Sequence, residues 1–258
     1  MKTEILTGGS MNQVVKIDGN IHKTAKGSPM VREYLMYLEE AGMSGVPRFL
    51  GIDEQEREIF SYLPGKTMGP DYPADHPCLH SDQAVQDMAQ FMRKLHDVSV
   101  GFLPRALESG WINPYFPSGP YETICHGDAA IWNFVFVNDR VAGLFDFDQA
   151  YPGGRYWDLA STISMAAFPF YYDYEPAKHA EQATHQIKLF FEAYGVPCPK
   201  NLIEIVIDRI QRDFCEDTAA RAAAGDKESI MCMERGDFDH YQKFVAHLKK
   251  HGHEWMDF

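Results

Sequence analysis

Candidate residues for chemistry are concentrated between positions 125 and 148. Asp128 follows His126-Gly127, and Asn133 comes five positions after Asp128. Asp146 lies 146 − 133 = 13 positions beyond Asn133, and Asp148 follows it after one phenylalanine. Carboxylate and amide oxygens are the hard ligands that Mg²⁺ takes together with water and phosphate oxygens. With an aspartate that can orient an acceptor hydroxyl, they form the set of groups that phosphoryl transfer needs.

These residues can work together only if a tight two-stranded ribbon joins them. The pattern predicts strands over 133–137 and 141–145 around a turn at Asn138-Asp139. The two ends of such a hairpin lie side by side, which would bring Asn133 next to Asp146. Taken singly, these Asp and Asn residues are equally typical of turns and helix caps, and only the joint spacing favours a functional site.

The order of the motif resembles that of a known group of enzymes. Protein kinases have H-R-D-x-x-x-x-N and a metal-binding aspartate downstream, whereas this chain has H-G-D-x-x-x-x-N followed by D-F-D. The sequence resembles the aminoglycoside phosphotransferase family of kinase-like small-molecule kinases, which includes choline-kinase-like enzymes. The resemblance extends to three further segments: Leu95-His96, Tyr62-Leu63-Pro64-Gly65-Lys66 and Asp158-Leu159-Ala160. Asp148, in place of a kinase glycine, argues against a protein kinase.

The resemblance implies a fold and an activity. The fold is an α+β, two-lobed protein-kinase-like fold, with a small β-rich nucleotide-binding lobe over 1–62 and a larger helical lobe over 63–258. The activity is transfer of the γ-phosphoryl group of ATP or GTP to a small-molecule hydroxyl. Asp128 would be the catalytic base or hydroxyl-orienting group, with Asn133, Asp146 and Asp148 around Mg²⁺. His126 would fix the loop, and Asp158 would tie the loop to the following helix.

The resemblance also implies a lysine on the nucleotide phosphates and a glutamate that holds it. Lys23, at the end of a predicted hairpin, is the best lysine candidate, ahead of Lys16 and Lys26. Glu33, in the first turns of the following helix, is the best glutamate. A solvated strand lysine and a favourable charge near a helix N-terminus are the structural alternatives for the pair.

Two further segments are expected to contact the nucleotide. The phosphate-covering loop would be 8–12, where Gly8, Gly9 and Ser10 can present backbone N–H groups although the loop lacks G-x-G-x-x-G. The connector, which includes Tyr62 and Leu63, would bind the base through its backbone. Backbone contacts leave ATP and GTP equally open.

The charge balance limits the partners. Lys and Arg total 24 against 37 Asp and Glu, a formal net charge of −13. This acidity argues against nucleic acid and anionic membrane partners. No apolar segment approaches the ~20 residues of a membrane span. Five scattered cysteines without a C-x-x-C spacing are typical of reduced thiols, which predicts a cytoplasmic protein.

The remaining elements are predicted from periodicity and punctuation. A hairpin around Asp18-Gly19-Asn20, a helix that begins at Ser28-Pro29 and stops near Gly42, and a strand over 57–63 make up the small lobe. Beyond Gly65, helices are predicted along 85–95 and near 177–194, 200–223 and 237–250.

The acceptor is left open at this point. Two acidic groups could bind a polyamine-like or amino-sugar acceptor: Asp213, Glu216 and Asp217, and Glu234, Asp237 and Asp239. A solvated helix face with interleaved arginines is the simpler interpretation. The aromatic run 168–174 could shape a pocket or belong to the core. A catalytically silent nucleotide-binding regulator on the same fold, and a metal-dependent hydrolase, are the alternative functions. The oligomeric state is also open.

Overall fold

The structure is a computed structural model that describes residues 3–6, 14–24, 28–69, 71–72, 76–113, 119–164, 176–256 and 258. The loop 8–12 with Ser10, the position Lys26 and the aromatic run 168–174 lie outside these ranges. Within the described ranges, none of the helices combines the length and the apolar character that crossing a membrane requires.

The N-terminal part is an antiparallel sheet with one helix. Five strands follow the spatial order β1-β2-β3-β5-β4. They are β1 (Thr3–Leu6), β2 (Val14–Ile17), β3 (Asn20–Thr24), β4 (Phe49–Ile52) and β5 (Arg57–Ser61), and the helix is α1 (Pro29–Glu40). The predicted hairpin is present: Asp18 and Gly19 both have positive φ, as a two-residue primed turn requires.

The start of α1 follows its sequence signals. Ser28 is the N-cap, its Oγ accepts a hydrogen bond from the Met30 N–H, and Pro29 occupies the first helical position. The helix buries Val31, Tyr34, Leu35 and Leu38 against the core. This apolar stripe fixes which face of α1 points into the protein and which faces remain for polar contacts.

The C-terminal part is mainly helical and carries two small antiparallel ribbons, β6–β9 and β7–β8. The strands are β6 (Thr123–Cys125), β7 (Phe134–Val137), β8 (Arg140–Leu144) and β9 (Tyr151–Gly153). The first helices are α2 (Asp82–Ser99), α3 (Leu103–Glu108), α4 (Arg155–Thr162) and α5 (Pro176–Tyr194). The last are α6 (Leu202–Ile210), a π-helix (Gln211–Asp217), α7 (Thr218–Ala223), α8 (Lys227–Arg235) and α9 (Asp237–His251).

This arrangement confirms the predicted α+β, kinase-like fold. The hairpin 133–145 and the helices near 177–194 and 237–250 occur where the periodicity predicts them. The chain is helical from 202 to 223, as predicted over 200–223, but it changes from α to π geometry at Gln211–Asp217. The strand predicted over 57–63 ends at Ser61. The strands β1, β4, β6 and β9 and the helices α3 and α8 are additional.

Candidate active site

The segment from β6 to β7 carries the H-G-D-x-x-x-x-N motif. β6 ends at Cys125, and Gly127 then adopts φ +81°, with its Cα packed against the carbonyl of Gln149 so closely that a side chain would not fit. This turn leaves Asp128 half-buried at the start of the loop. Asn133 closes the short 3₁₀ turn Ile131–Asn133 immediately before β7.

Asn133 ties the two ends of the loop together. Its Nδ2 donates to the backbone carbonyl of Asp128 at 2.8 Å and to the Asp128 Oδ2 at 2.9 Å. The register of β7 and β8 pairs Phe134 with Leu144, and the Phe145 N–H donates to the Asn133 carbonyl at 3.0 Å. The hairpin therefore brings Asn133 beside Asp146, as its spacing predicts.

Lys23 reaches both aspartates of the D-F-D segment. Its Nζ donates to Asp146 Oδ1 at 2.9 Å and to Asp148 Oδ1 at 2.6 Å. Asp146 holds this position in a left-handed conformation, with φ 67° and ψ 62°, which is uncommon for a residue other than glycine. β3 and the segment after β8 thus meet at one charged centre.

The donor set fits a hard divalent cation. Asp146 and Asp148 direct one carboxylate oxygen each at a single point, which here holds the Lys23 ammonium group. No cluster of three or more His, Cys, Asp or Glu side chains suited to a metal occurs in the described ranges. An ion at this point would therefore need the Asn133 amide, water and substrate phosphates as further ligands, which is how Mg²⁺ is usually held.

The pKa values at the centre are shifted by burial and by neighbouring carboxylates. Desolvation and then the charges of Asp146 and Asp213 raise the pKa of Asp128 to about 7, against the hydrogen bond from Asn133. Burial and the charge of Asp146 also raise the pKa of Asp148, although Lys23 opposes the shift. Burial alone would lower the pKa of Lys23, but the two aspartates outweigh it and raise that pKa.

A fully buried aspartate of α4 anchors the loop 126–133, which carries the H-G-D-x-x-x-x-N motif and is named the catalytic loop after it. The Asp158 carboxylate accepts hydrogen bonds from the His126 N–H at 2.8 Å, the Gly127 N–H at 3.0 Å and the His96 Nε2 at 3.0 Å. These donors hold the pKa of Asp158 below its usual range despite burial. The contacts agree with the predicted tie between the loop and the following helix.

His126 fixes the loop from within. Its Nδ1 accepts the Asp128 N–H at 3.2 Å, and its Nε2 donates to the Phe145 carbonyl at 3.0 Å. One accepting and one donating nitrogen describe a neutral imidazole, and burial lowers the pKa of this ring. His126 therefore joins the loop to the end of β8 and holds the backbone of Asp128 in place.

Arg209 is a site residue that the motifs do not predict. This fully buried side chain donates from Nη2 to the Gly127 carbonyl at 2.6 Å, and its Nη1 lies 2.6 Å from Asp213 Oδ2. It therefore connects α6 and the π-helix to the catalytic loop. A sequence signal exists: Arg209 lies seven positions after Leu202 and three after Val206 on an apolar helix stripe, where an arginine must be paired.

The expected Lys23–Glu33 pair does not form. Glu33 lies outside the buried stripe of α1 and pairs with Arg105 of α3, so it is turned away from Lys23. The ion pair between helix and sheet has its charges reversed: the helix supplies the cation, Arg32, and the sheet supplies the buried anion, Glu58 of β5. Glu58 lies opposite Lys23 in the β3–β5 register.

The two connector residues directly follow the end of β5. Tyr62 is exposed, and Lys16 Nζ lies 3.4 Å from the centre of its ring. Leu63 is half-buried beside Gly143 of β8. Their expected role in base binding rests on the resemblance, and that of Ser10 falls outside the described residues.

Comparison with known proteins bears on this geometry. Residues 105–199, which carry the catalytic loop, the D-F-D segment and Asp158, match the family described as phosphotransferase enzyme family. The resemblance inferred from the motifs is confirmed. A trifolitoxin immunity protein of Rhizobium leguminosarum bv. trifolii is 28% identical, with 76% of each chain covered.

Solved structures share the fold at low sequence identity. A spectinomycin phosphotransferase in complex with ADP and spectinomycin has a TM-score of 0.64 at 12% identity, covering 97% of this chain and 93% of its own. An aminoglycoside phosphotransferase in complex with GDP and kanamycin gives 0.62 at 13% identity, covering 96% and 93%. A choline/ethanolamine kinase family protein of Mesorhizobium loti gives 0.54 at 16% identity, covering 97% and 93%. The family match and the shared fold support a small-molecule phosphotransferase.

Proposed function

We propose that this protein transfers the γ-phosphoryl group of ATP or GTP to a hydroxyl group of a small molecule. The observation that carries the proposal is the convergence of Asp128, Asn133, Asp146 and Lys23 from three separate elements. The ADP and GDP complexes among the structural relatives support a nucleotide donor. Aminoglycosides, amino sugars and amino alcohols are the acceptors to test first.

The residues have distinct roles in the proposed reaction. Asp128, with its raised pKa, orients the acceptor hydroxyl and takes its proton as the new P–O bond forms. Lys23 moves from the two aspartates to the nucleotide phosphates, and the nucleoside diphosphate leaves. Asn133, Asp146 and Asp148 would hold Mg²⁺, which neutralises phosphate charge when it is bound. Asp158 and Arg209 keep the loop in place throughout.

A cytoplasmic location is part of the proposal. ATP and GTP are cytoplasmic donors, and none of the five cysteines, all of which are described, forms a disulfide. The five unpaired thiols therefore support a cytoplasmic location.

The experiment is an acceptor screen with coupled detection of ADP or GDP. The panel contains aminoglycosides, spectinomycin, choline, ethanolamine and simple sugars, and trifolitoxin because a relative is named after immunity to it. Asp128→Ala should fold normally and lose transfer by about 10²–10⁴-fold, the usual contribution of a general base. Glu192→Ala, a change at an exposed carboxylate of α5, is the matched control.

A silent nucleotide-binding regulator is the second candidate, because Lys23 pairs with Asp146 and Asp148 and not with Glu33. Thermal stabilisation by ATP or GTP without transfer to any panel member would favour the regulator. Full turnover by Asp128→Ala would refute the role of that residue.

A further inference from the structure

A pocket of about 430 Å³ opens beside the charged centre. Its walls are the start of α1, the loop 109–113 after α3, the segment 148–151 and Arg221 of α7. This volume is within the range of about 300–1,000 Å³ that small-molecule sites occupy. The pocket is therefore large enough for a single sugar-sized ring or a somewhat larger molecule.

One lining residue of the pocket, Asp148, belongs to the charged centre, and another, Arg221, pairs with the π-helix. Asp148 forms part of one wall and shares the Lys23 ammonium with Asp146. Arg221 pairs at 2.7 Å with Asp217 at the end of the π-helix. The same π-helix carries Asp213, whose charge acts on the carboxyl of Asp128.

The lining distinguishes this pocket from the expected nucleotide site. None of its lining residues belongs to strands β1–β5 or to the connector with Tyr62 and Leu63. The nucleotide is expected at those elements, so the pocket lies on the acceptor side of Lys23 and Asp148.

The charges around the pocket do not favour a polycation. Its described lining contains one carboxylate, Asp148, and one guanidinium, Arg221. The nearby acidic residues are matched by arginines one helical turn away, because Asp217 pairs with Arg221 and Asp213 pairs with Arg209. These carboxylates are neutralised within their own helix. An acceptor with several ammonium groups would have to break these pairs to gain counter-charges.

The other lining groups suit a hydroxylated ring. Asn113 and Gln149 carry amides that can both donate and accept hydrogen bonds, whereas the aromatic side chains Trp111 and Tyr151 lie behind the pocket surface and are only 8% and 3% exposed. Amides pair with hydroxyl groups without requiring a charge on the ligand.

We propose that this pocket binds the acceptor, and that the acceptor is a ring compound rich in hydroxyl groups with at most one ammonium group. The inference rests on the proposed phosphotransferase function and narrows its substrate class. One hydroxyl of the ring would point from the pocket toward Asp128, and the remaining hydroxyl groups would contact the amides of Asn113 and Gln149.

The test compares binding and transfer for matched probes. Maltose, glucosamine and kanamycin represent zero, one and several ammonium groups, and their binding to the wild-type chain is measured by saturation-transfer NMR with ADP and Mg²⁺ present. Ile112→Trp fills the pocket from a side chain that is 46% exposed, and Ile230→Trp on α8, 36% exposed, is the control. We expect maltose or glucosamine to bind, and Ile112→Trp to weaken that binding at least 10-fold while Ile230→Trp and nucleotide affinity stay unchanged.

The outcomes separate this inference from the proposed function. Preferred binding and phosphorylation of kanamycin, with a KM that rises steeply with salt, would overturn an acceptor with at most one ammonium group and support phosphotransfer. Binding of maltose or glucosamine that Ile112→Trp abolishes, without transfer from ATP or GTP, would support the pocket and overturn the phosphotransferase. Failure of both probes to bind, or equal effects of the two tryptophan variants, would overturn the inference.

Discussion

The buried Arg209–Asp213 pair allows a quantitative test of how the catalytic loop is held. Arg209 is fully buried, whereas the Asp213 side chain is 17% exposed. Arg209→Met removes the counter-charge of Asp213 and the donor to the Gly127 carbonyl. Breaking one side of a buried ion pair costs about 3–5 kcal/mol. A typical domain has about 5–15 kcal/mol of stability, so the variant should remain folded but unfold at much lower urea concentrations.

A second substitution separates the two contributions. In Arg209→Met with Asp213→Asn, no carboxylate is left without a partner, so most of the charge penalty disappears. The remaining loss of stability comes from the unpaired Gly127 carbonyl and is about 1–3 kcal/mol. We therefore expect a coupling energy of about 2 kcal/mol or more between the two positions, with kcat still reduced because the loop has lost its anchor.

The measurement is a double-mutant cycle from urea unfolding, with kcat and KM for both substrates. The exposed pair Arg212–Asp208, also one turn apart with a 2.8 Å contact, is the internal control, for which about 0.3–0.5 kcal/mol is expected. A coupling energy at 209/213 no larger than that at 208/212 would refute the reasoning. So would full recovery of kcat in the double variant.

Three further predictions concern the loop and the charged centre. Asp158→Asn should lower the free energy of unfolding by about 2–4 kcal/mol at pH 7, because one oxygen that accepts from His126 or Gly127 becomes a donor. Since the folded pKa of Asp158 is depressed, its stabilisation is lost as the pH falls below about 4, and the two urea curves should converge there. Asp128→Asn should be more stable than wild type at pH 8 without metal. The pKa of Asp128 is raised to about 7, so its ionised carboxyl destabilises the folded wild type as the pH rises. A constant difference in melting temperature between variant and wild type from pH 4 to 8 would contradict this. Lys23→Met should lower kcat/KM for the nucleotide at least 10-fold and leave acceptor binding unchanged by NMR.

The sequence predicts the site best where the chemistry lies on one continuous segment. Asp128, Asn133 and Asp146 are joined by a hairpin whose turn and alternation are local, so their proximity follows from the chain itself. Asp158 is close enough in sequence for its tie to the loop to be expected. In the small lobe, the Asp18-Gly19 turn and the Ser28-Pro29 start are likewise local signals, and both elements form as predicted.

Contacts between separate elements are less predictable. The rotation of α1 relative to the sheet decides whether Glu33 meets Lys23, and that rotation is set by the packing of Tyr34 and Leu35. The result is an Arg32–Glu58 contact in place of the expected one. Arg209 contacts the Gly127 carbonyl, which lies 82 positions away in the chain. The apolar helix stripe indicates that Arg209 is buried, but nothing in the sequence indicates its partner in the loop.

Lys23 has a consequence for the order in which ligands can enter. With no phosphate present, its ammonium serves as an internal counter-ion for Asp146 and Asp148, so a divalent ion arriving alone must compete with a tethered positive charge. A nucleotide phosphate offers Lys23 another partner and frees both carboxylates. If nucleotide and divalent ion bind as proposed, their affinities are coupled, each raising the other by the same factor. Such coupling would protect the resting protein from free metal ions and reserve the carboxylates for a metal that arrives with its phosphate.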